Sequence, residues 1–401
     1  MSRNLVANEQ NTVSDGAEIS PLMRAARLHR RGEPFEIDHV PRPSPRPMDV
    51  VVQVKTCGIV QNLRNIIKDS EHIHVEIPQL PAIFGLDPAG VIAEKGELVH
   101  GFEVGDRVYV NPLRYCGTCR QCTMGEPAAC DYAVLNGYFG TGAHADQSFR
   151  DYPYGGYAEY MIAPQYSLVK IPDKLSFETA SRFGYLGTAY SALRRARVDM
   201  NSTVLINGAT GTLGLGGVLF ALALGAPKVL GVGRDRALLE RVKAICPERI
   251  EVHSTRESAL PVGDWARSIT DGNGTDVVMD ALPVGAPLDA FMAAFDALGK
   301  CGRHVNCGGM FDNVPVFTPK FIMGLHTMIG SNWFTTAQGQ EMAALAASDQ
   351  VKLDVFENYT YALEDLNQAL VDIEQRHGGF SNFVISLSPA GSRGSDGKVM
   401  R

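Results

Sequence analysis

Residues 204–234 read VLINGATGTLGLGGVLFALALGAPKVLGVGR, and this stretch decides the fold. The apolar run from Val204 to Ile206 has the length of a β-strand. A glycine-rich turn follows, then an apolar helical segment, and a second β run lies from Lys228 to Val232. Strand, glycine turn, helix and strand form a βαβ unit, in which the helix N-terminus can bind the pyrophosphate of a dinucleotide. The sequence therefore predicts an α/β fold with a doubly wound, Rossmann-type parallel sheet.

The glycine turn carries the predicted cofactor contacts. Glycine lets the backbone turn sharply and lets a phosphate approach bare N–H groups. A tight structural turn without a ligand is the alternative, but the flanking strands favour binding. The predicted contacts within the turn are Gly208, Ala209, Thr210, Gly211, Thr212, Leu213 and Gly214.

The end of the second strand predicts which nicotinamide cofactor is bound. Proteins that bind NAD carry an acidic residue there, which hydrogen-bonds the ribose 2′-OH. This chain has Gly233 followed by Arg234, so no carboxylate repels a 2′-phosphate and a guanidinium can bind it. We therefore expect NADPH rather than NADH. Recognition of NAD by Asp235 is the alternative.

Length and composition bound the rest of the molecule. A chain of 401 residues is too long for one compact core, so two domains are expected. The formal net charge of −7 argues against a nucleic-acid partner, and no basic run indicates a membrane surface. The first twenty residues lack the apolar core of a signal peptide. Eight cysteines without such a signal indicate a reducing compartment, which predicts a cytoplasmic protein.

The pattern of secondary structure changes along the chain. The first part alternates short β-rich runs with proline and glycine, which predicts a small all-β unit. The next part alternates helical periods with β runs, as in a parallel sheet covered on both faces. The predicted divisions are a flexible tail (1–21), a β unit (22–187), a cofactor-binding sheet unit (188–330), a return to the β unit (331–387) and a second flexible tail (388–401).

Four cysteines are spaced as metal ligands. Cys116, Cys119, Cys122 and Cys130 form the pattern C-x2-C-x2-C-x7-C. Four thiolates from one tight loop suit tetrahedral Zn²⁺, and because they fill its coordination sphere the site is expected to be structural. An iron–sulfur site or idle thiols are the alternatives. The fourth cysteine comes too late for the iron–sulfur spacing C-x2-C-x2-C-x3-C-P.

Several motifs together resemble the zinc-dependent medium-chain alcohol dehydrogenase family over residues 22–387. They are the four cysteines, the glycine turn, and the segments GLDPAG at 85–90, GDRV at 105–108 and GGYAEY at 155–160. The resemblance implies a GroES-like β domain with a structural-zinc lobe, a Rossmann domain and an active site in the cleft between them. It also implies that Thr188 and Leu213 contact the nicotinamide.

The residues at the positions of the family's catalytic zinc ligands cannot bind a metal. The resemblance places Val60 at the first cysteine ligand, Leu86 at the histidine and Gly184 at the third ligand. None of them has a lone pair to offer, and Asp87 alone would not hold a zinc ion. We therefore expect one structural zinc per chain and no catalytic zinc.

Four side chains are candidates to replace the metal. Asn62 matches the family's proton-relay position, and Asp87 lies beside a lost ligand. Tyr185 follows the lost third ligand and offers a phenolic O–H. His144 lies in an aromatic-rich loop at residues 137–154. For each, the alternative is a structural polar group.

Without a metal, hydride transfer to a plain ketone needs another electrophilic aid. The leading hypothesis is a zinc-free NADPH-dependent reductase of an activated C=C or C=N bond, because zinc-free members of the wider family carry out such reductions. An alcohol or carbonyl dehydrogenase with a protein proton donor is the alternative among enzymes. A non-catalytic cofactor-binding protein is the alternative from another class. The family implies a small-molecule substrate and a homodimer or homotetramer, with the apolar residues 321–330 as a candidate pairing segment.

Overall fold

The fold is described from a computed structural model, which covers residues 20–310, 312–376 and 378–387. The predicted C-terminal tail lies outside these residues, and so does the predicted N-terminal tail apart from its last two residues. Within the covered ranges, no helix is both long enough and apolar enough to cross a membrane.

The first part of the chain is rich in short strands, as predicted. Its strands are β1 Leu22–Leu28, β2 Glu36–Pro41, β3 Asp49–Gly58, β4 Ala82–Ile83, β5 Asp87–Lys95, β6 Arg107–Val110, β7 Leu113–Arg114, β8 Val134–Leu135, β9 Phe139–Gly140, β10 Tyr160–Pro164 and β11 Leu168–Lys170. Its helices are α1 Leu63–Asp69, α2 Arg120–Thr123, α3 Ala145–Asp151, α4 Phe177–Ala180 and α5 Phe183–Arg195.

A parallel sheet and its helices make up the second part. Its strands are β12 Thr203–Asn207, β13 Lys228–Gly233, β14 Ile250–Ser254, β15 Thr275–Asp280, β16 Leu298–Asn306 and β17 Thr327–Gly330. Its helices are α6 Thr212–Ala223, α7 Arg236–Lys243, α8 Val262–Ile269, α9 Leu288–Phe295 and α10 Thr318–Gly324. The remaining elements are α11 Thr336–Ala347, β18 Glu357–Ala362, α12 Leu366–Asp372 and β19 Ser381–Ser386.

The six strands of the parallel sheet lie in the order β14-β13-β12-β15-β16-β17. The order reverses beside β12, and in open α/β sheets ligands bind at such a reversal. Side chains alternate between the faces of each strand. Val204 and Ile206 face the core under α5 and α6, whereas Leu205 packs in the core under α8 and α9. The predicted doubly wound parallel sheet is confirmed.

The C-terminal part of the chain joins the β unit. Strand β19 pairs antiparallel with β3 and parallel with β18, so it enters the seven-stranded sheet β11-β6-β5-β3-β19-β18, in which β10 also pairs with β3. The segment just before it, Gly378–Phe380, rests on the glycine turn, since Gly379 N–H donates to Thr210 O at 2.8 Å. The return predicted for residues 331–387 therefore connects the β unit to the cofactor turn.

Two differences from the sequence predictions have simple causes. The β unit contains short helices, including α1 and α3, which are too short to produce a detectable helical period. The predicted helix from Leu363 to Gln375 is α-helical only over α12, with a 3-10 turn at each end, Leu363–Asp365 and Ile373–Gln375.

Candidate active site

The glycine turn has the geometry of a phosphate-binding loop. The N–H groups of Gly208 and Ala209 both donate to Val232 O, at 3.0 and 2.9 Å, which folds the turn against β13. A Cβ at Gly214 would lie 2.0 Å from Gly208 O, so only glycine allows this approach. Gly211 is the N-cap of α6 and provides no side-chain cap. The N–H groups of the first turn of α6 are therefore available to an anion, and the helix dipole favours one there.

Two candidate cofactor residues, Gly233 and Arg234, lie at the end of β13, and the acidic Asp235 follows them. Gly233 is half-buried, and the Arg234 side chain is exposed. The Asp235 side chain is the N-cap of α7 and accepts Leu238 N–H at 3.0 Å. The carboxylate of Asp235 is thus already bonded to the protein, whereas the Arg234 guanidinium has no hydrogen-bond partner among the described residues.

The helix α5, which carries Thr188, packs against α6. The Thr188 hydroxyl donates to Gly184 O at 2.8 Å, and the residue is buried. Leu213 lies half-buried in the first turn of α6. The two residues that the resemblance assigned to the nicotinamide are thus on neighbouring helices.

Buried apolar groups occupy two of the positions that the resemblance assigned to the catalytic metal ligands. Val60 and Leu86 are 6% and 4% exposed, and both belong to the core of the β unit. At Gly184, a Cβ would lie 2.2 Å from Oδ1 of Asp87, so the carboxylate fills the space of a side chain at 184. Among the described residues, three or more potential ligands meet only at the four cysteines and at His29, Glu36 and Asp38.

Asp87 is held inside the protein rather than facing open solvent. Its Oδ1 accepts a hydrogen bond from Tyr109 Oη at 2.7 Å, and the residue is 2% exposed. Burial raises the pKa of Asp87 to about 7, although the bond from Tyr109, the charge of Arg182 and the N–H of Gly184 act in the opposite direction. Because these partners favour the charged form while burial opposes it, Asp87 titrates near neutral pH.

Gln61 links Tyr185 of α5 to Thr212 at the start of α6. The Tyr185 hydroxyl oxygen accepts Gln61 N–H at 3.1 Å, and the Gln61 side-chain amide donates to Thr212 Oγ1. No described residue accepts the phenolic hydrogen of Tyr185. Tyr185 therefore has a free O–H donor, and a single residue, Gln61, bridges it by hydrogen bonds to the cofactor turn.

Two guanidinium groups lie near the Tyr185 ring. Arg182 is 3% exposed, and its Cζ lies 5.5 Å from the ring centroid. It donates to Gly379 O at 2.7 Å, and neither it nor Arg376 forms an ion pair among the described residues. Burial raises the pKa of Tyr185, while the bond from Gln61 and the charges of Arg182 and Arg376 oppose that rise. The two cations thus offset part of the penalty that burial places on the phenolate form of Tyr185.

The other two catalytic candidates lie in different surroundings. Asn62 is the N-cap of α1, where its Oδ1 accepts a hydrogen bond from Asn65 at 3.1 Å. The ring of His144 packs 4.8 Å from that of Tyr132, and His144 N–H donates to Asp131 O at 2.7 Å. His144 is thus beside the cysteine lobe, and no contact brings it to Tyr185 or Asp87 among the described residues.

The four cysteines form a compact ligand set. Their Sγ atoms all lie within 4.8 Å of one another, and those of Cys116 and Cys130 are 3.6 Å apart. Zinc–sulfur bonds of about 2.3 Å in a tetrahedron place sulfurs about 3.8 Å apart, so the set fits zinc. The N–H groups of Thr118 and Cys119 donate to Cys116 Sγ. The bond from Thr118 N–H is the largest of several that together lower the pKa of Cys116 to about 6 against the opposing effect of burial. Backbone donors of this kind favour thiolates.

Sequence reasoning missed three residues of the site: Gln61, Tyr109 and Arg182. Arg182 had no clear signal, because it follows the largely polar segment SFETAS, in which a basic residue is not unusual. Gln61 and Tyr109 had none, because their roles depend on contacts between segments 124 and 22 residues apart in the chain.

Comparison with known proteins identifies the family. Residues 46–173 match the alcohol dehydrogenase GroES-like domain, and residues 212–348 match the zinc-binding dehydrogenase domain. An alcohol dehydrogenase of Geobacillus stearothermophilus is 30% identical over 336 residues, which is 82% of this chain and 90% of that protein. The chain belongs to the zinc-type medium-chain alcohol dehydrogenase family. It is an NAD(P)-dependent dehydrogenase of that family.

Other relatives of the dehydrogenase agree with this assignment. An NAD-dependent alcohol dehydrogenase of Sulfurisphaera tokodaii is 29% identical and covers 88% of this chain and 96% of its own. The crystal structure of AibC superposes with a TM-score of 0.80 at 25% identity, over 94% of this chain and 99% of that one. A thermostable alcohol dehydrogenase from Pyrobaculum aerophilum superposes with a TM-score of 0.73 at 25% identity, over 91% of this chain and 100% of that one. The GroES-like and Rossmann-type fold is thus confirmed.

Proposed function

We propose that the dehydrogenase interconverts a carbonyl compound and an alcohol, with Tyr185 as the proton donor in place of a catalytic zinc. One observation carries the proposal: the Tyr185 hydroxyl accepts Gln61 N–H and keeps its own hydrogen free. The side chain of the same Gln61 bonds to Thr212 of the cofactor turn, so the free donor lies near that turn. Relatives named as alcohol dehydrogenases support this reaction more than the reduction of a C=C or C=N bond that the sequence favoured.

The absence of a catalytic zinc is part of the proposal. A zinc ion needs three protein ligands with lone pairs, and Val60, Leu86 and Gly184 provide none. The carboxylate of Asp87 takes up the space beside Gly184 and bonds to Tyr109. A bound metal would have contributed several kcal/mol by polarising the substrate oxygen. A hydrogen-bond donor aimed at that oxygen is the available substitute.

A nicotinamide cofactor held at the glycine turn, Gly208–Gly214, would supply the hydride for reduction of the carbonyl carbon. The Tyr185 O–H donates its proton to the carbonyl oxygen, and Gln61 N–H holds the phenolic oxygen in position. The charges of Arg182 and Arg376 stabilise the phenolate that remains. In oxidation the same oxygen accepts the proton of the alcohol. Asp87 bonds to Tyr109 and to the N–H of Gly184, so it holds the start of α5 in place rather than contacting the substrate.

We also propose NADPH as the preferred cofactor. The proposal depends on Gly233, which offers no carboxylate, and on the exposed Arg234 beside it. A relative named as NAD-dependent opposes it. The four cysteines would hold one structural zinc, and we keep the cytoplasm as the proposed location.

Reduction of an activated C=C or C=N bond is the second candidate. It is favoured by the apolar side chains at Val60 and Leu86, because a conjugated substrate accepts hydride without a metal. The same donor, Tyr185, would then face the carbonyl oxygen that becomes an enolate.

The substrate 2-cyclohexen-1-one, with a cofactor deuterated at nicotinamide C4, separates the two candidates. Carbonyl reduction places deuterium on the carbinol carbon, and conjugate reduction places it on the carbon β to the carbonyl.

Tyr185→Phe should lower kcat by about 10²- to 10⁴-fold, as loss of a general acid does. The control Tyr154→Phe removes a hydroxyl bonded to Pro41 O and should leave kcat unchanged. Label at the β carbon, or full activity of Tyr185→Phe, would overturn the main proposal.

A further inference from the structure

Trp333 is a half-buried side chain that the mechanism above does not use. It packs against the core of the β unit and also against the core under α5 and α6. No other half-buried apolar side chain among the described residues packs against both. Small-molecule sites lie preferentially between two such packed units, where apolar surface is left partly open. The exposed part of Trp333 is therefore in a place where a small molecule could bind.

Contacts with the protein already satisfy the polar end of Trp333. Its indole N–H donates to Asn111 Oδ1 at 3.0 Å, and the Asn111 amide donates to Phe334 O at 3.2 Å. The Phe334 ring lies 5.2 Å from the Trp333 ring and packs on α5, since a Cβ at Gly187 would lie 2.3 Å from Phe334 Cδ1. The indole is thus fixed in position, and what it offers a ligand is apolar ring surface.

Trp333 follows the last strand of the parallel sheet, at the carboxyl edge of that sheet. Backbone hydrogen bonds join the carboxyl ends of β12, β15, β16 and β17 in a row. They are Ala281 N–H to Asn207 O at 3.0 Å, Cys307 N–H to Asp280 O at 3.2 Å and Ser331 N–H to Asn306 O at 2.9 Å. A dinucleotide binds across such an edge, with one half on each side of the reversal in strand order. Since Arg234 at the end of β13 is proposed to bind the adenosine half, the nicotinamide half falls on the side of β17 and Trp333.

We propose that Trp333 forms one wall of the substrate cleft and selects substrates through contact with its indole face. Hydride transfer requires the reacting carbon to lie against the nicotinamide, so a residue at that end of the crevice also meets the substrate. The inference rests on the proposed function for the identity of the reacting group, and an enone would pack against the same wall.

The indole face also defines a substrate class. A flat conjugated ring stacks on an indole, whereas a flexible alkyl chain gains less from the contact and loses more rotamer freedom. The dehydrogenase should therefore favour carbonyl groups attached to an unsaturated ring, or within one, over straight-chain aldehydes of similar size.

Substrate selectivity in Trp333→Leu tests the inference. The readout is kcat/KM for benzaldehyde divided by kcat/KM for hexanal, a ratio from which any loss of folded enzyme cancels. Leucine keeps an apolar side chain but removes the aromatic face, so we expect the ratio to fall about 2- to 10-fold. The control is Trp265→Phe, which changes a ring stacked on His253 at 4.8 Å and should leave the ratio unchanged. An unchanged ratio in Trp333→Leu would overturn the inference.

Quenching of tryptophan fluorescence by acrylamide gives a second readout that needs no turnover. The chain has two tryptophans, so each of these variants leaves one emitter. In Trp265→Phe the emission comes from Trp333, and saturating NADP⁺ or NAD⁺ with benzaldehyde should remove most of its quenching. In Trp333→Leu the emission comes from Trp265, and its quenching should stay the same.

Equal quenching of Trp333 with and without these ligands would also overturn the inference, since the indole would then lie outside the cleft. The outcome is independent of the proton donor. If Tyr185→Phe stays fully active while Trp333 is protected and controls the selectivity ratio, the proposed proton donor is wrong and the role of Trp333 stands.

Discussion

The Asp87 carboxylate lies in the space that a side chain at position 184 would need. Since a glycine at 184 and an aspartate at 87 fill this volume together, the two residues are coupled through packing. Tyr109 then bonds to the same carboxylate, and Arg182 lies close enough to affect its pKa. The space beside position 184, which the resemblance assigns to a metal ligand, is thus filled by a buried, hydrogen-bonded acid.

Asp87 should make the stability of the folded protein depend on pH. Its pKa is about 7 in the folded chain and about 3.9 in an unfolded one. Between these values the folded state holds a proton that the unfolded state releases. The contribution of Asp87 to the free energy of unfolding is therefore complete below about pH 4 and is lost as the pH rises through 7.

Thermal melts of the unaltered enzyme and of Asp87→Asn between pH 5 and 8 measure this effect. We expect the unaltered enzyme to lose melting temperature relative to the variant as the pH rises, because the amide does not titrate. Asp146→Asn is the control, as that carboxylate pairs with Arg150 at the surface. A constant difference between the Asp87→Asn and unaltered proteins across the range would refute the assignment.

At the scale of elements, we propose that the end of β13 controls the choice of cofactor. A Cβ at Gly233 would lie 3.2 Å from both Leu239 Cδ2 and Thr210 Cγ2, so these two side chains would have to shift by a few tenths of an ångström to admit one. Asp235 is occupied as the cap of α7, so it is not free to bind a ribose hydroxyl. The exposed Arg234 is free to bind a 2′-phosphate.

Gly233→Asp should therefore reverse the proposed preference for NADPH. A carboxylate at this position repels the 2′-phosphate and accepts a bond from the ribose 2′-OH. We expect KM for NADPH to rise by roughly 10- to 100-fold, the range for a charged hydrogen bond of about 1.5–3 kcal/mol, and KM for NADH to fall. Gly233→Asn controls for the size of the side chain without its charge. Equal KM values for both cofactors in all three proteins would remove the argument for NADPH.

The elements that depend on local patterns could be predicted from the sequence. The apolar run before Asn207, the glycine turn and the run from Lys228 gave β12, α6 and β13 in their correct places. Strand β14 was not predicted, because its residues Glu251 and His253 interrupt the apolar pattern. The position of each strand in its sheet depends on contacts far apart in the chain, so the spacing of motifs does not determine it.

The candidate site was predictable only where one residue type implies one chemistry. The cysteine spacing predicted a compact ligand set, and the structure brings the four sulfurs together. Tyr185 and Asp87 were identified as candidates, but no sequence pattern indicates that Gln61 bonds to one or Tyr109 to the other. The position of Trp333 against both cores is likewise a property of packing.

At the scale of the whole molecule, β17 is the outer strand of the parallel sheet and has one neighbour, β16. Helix α10 beside it exposes apolar side chains, among them Ile322 at 68% and Met323 at 81%. An open strand edge next to exposed apolar surface can pair with a second copy of the chain. We therefore propose that the homo-oligomer forms through this edge, within the predicted residues 321–330.

Sedimentation velocity tests the proposed oligomer. We expect the unaltered chain to sediment as a dimer or larger species, and Met323→Glu to sediment as a monomer because a carboxylate would be buried at the contact. Met200→Glu is the control, since Met200 is 74% exposed in a different part of the molecule. A monomeric unaltered chain would contradict the proposal.

The central claim is that this dehydrogenase keeps the structural zinc and transfers hydride without a catalytic one. The most direct test is the zinc content of the purified, active enzyme, determined by mass spectrometry of the metal against the protein concentration. The four cysteines can hold one ion, so we expect about one zinc atom per chain in a fully active preparation. About two zinc atoms per chain, with activity lost in proportion to the second, would contradict the account.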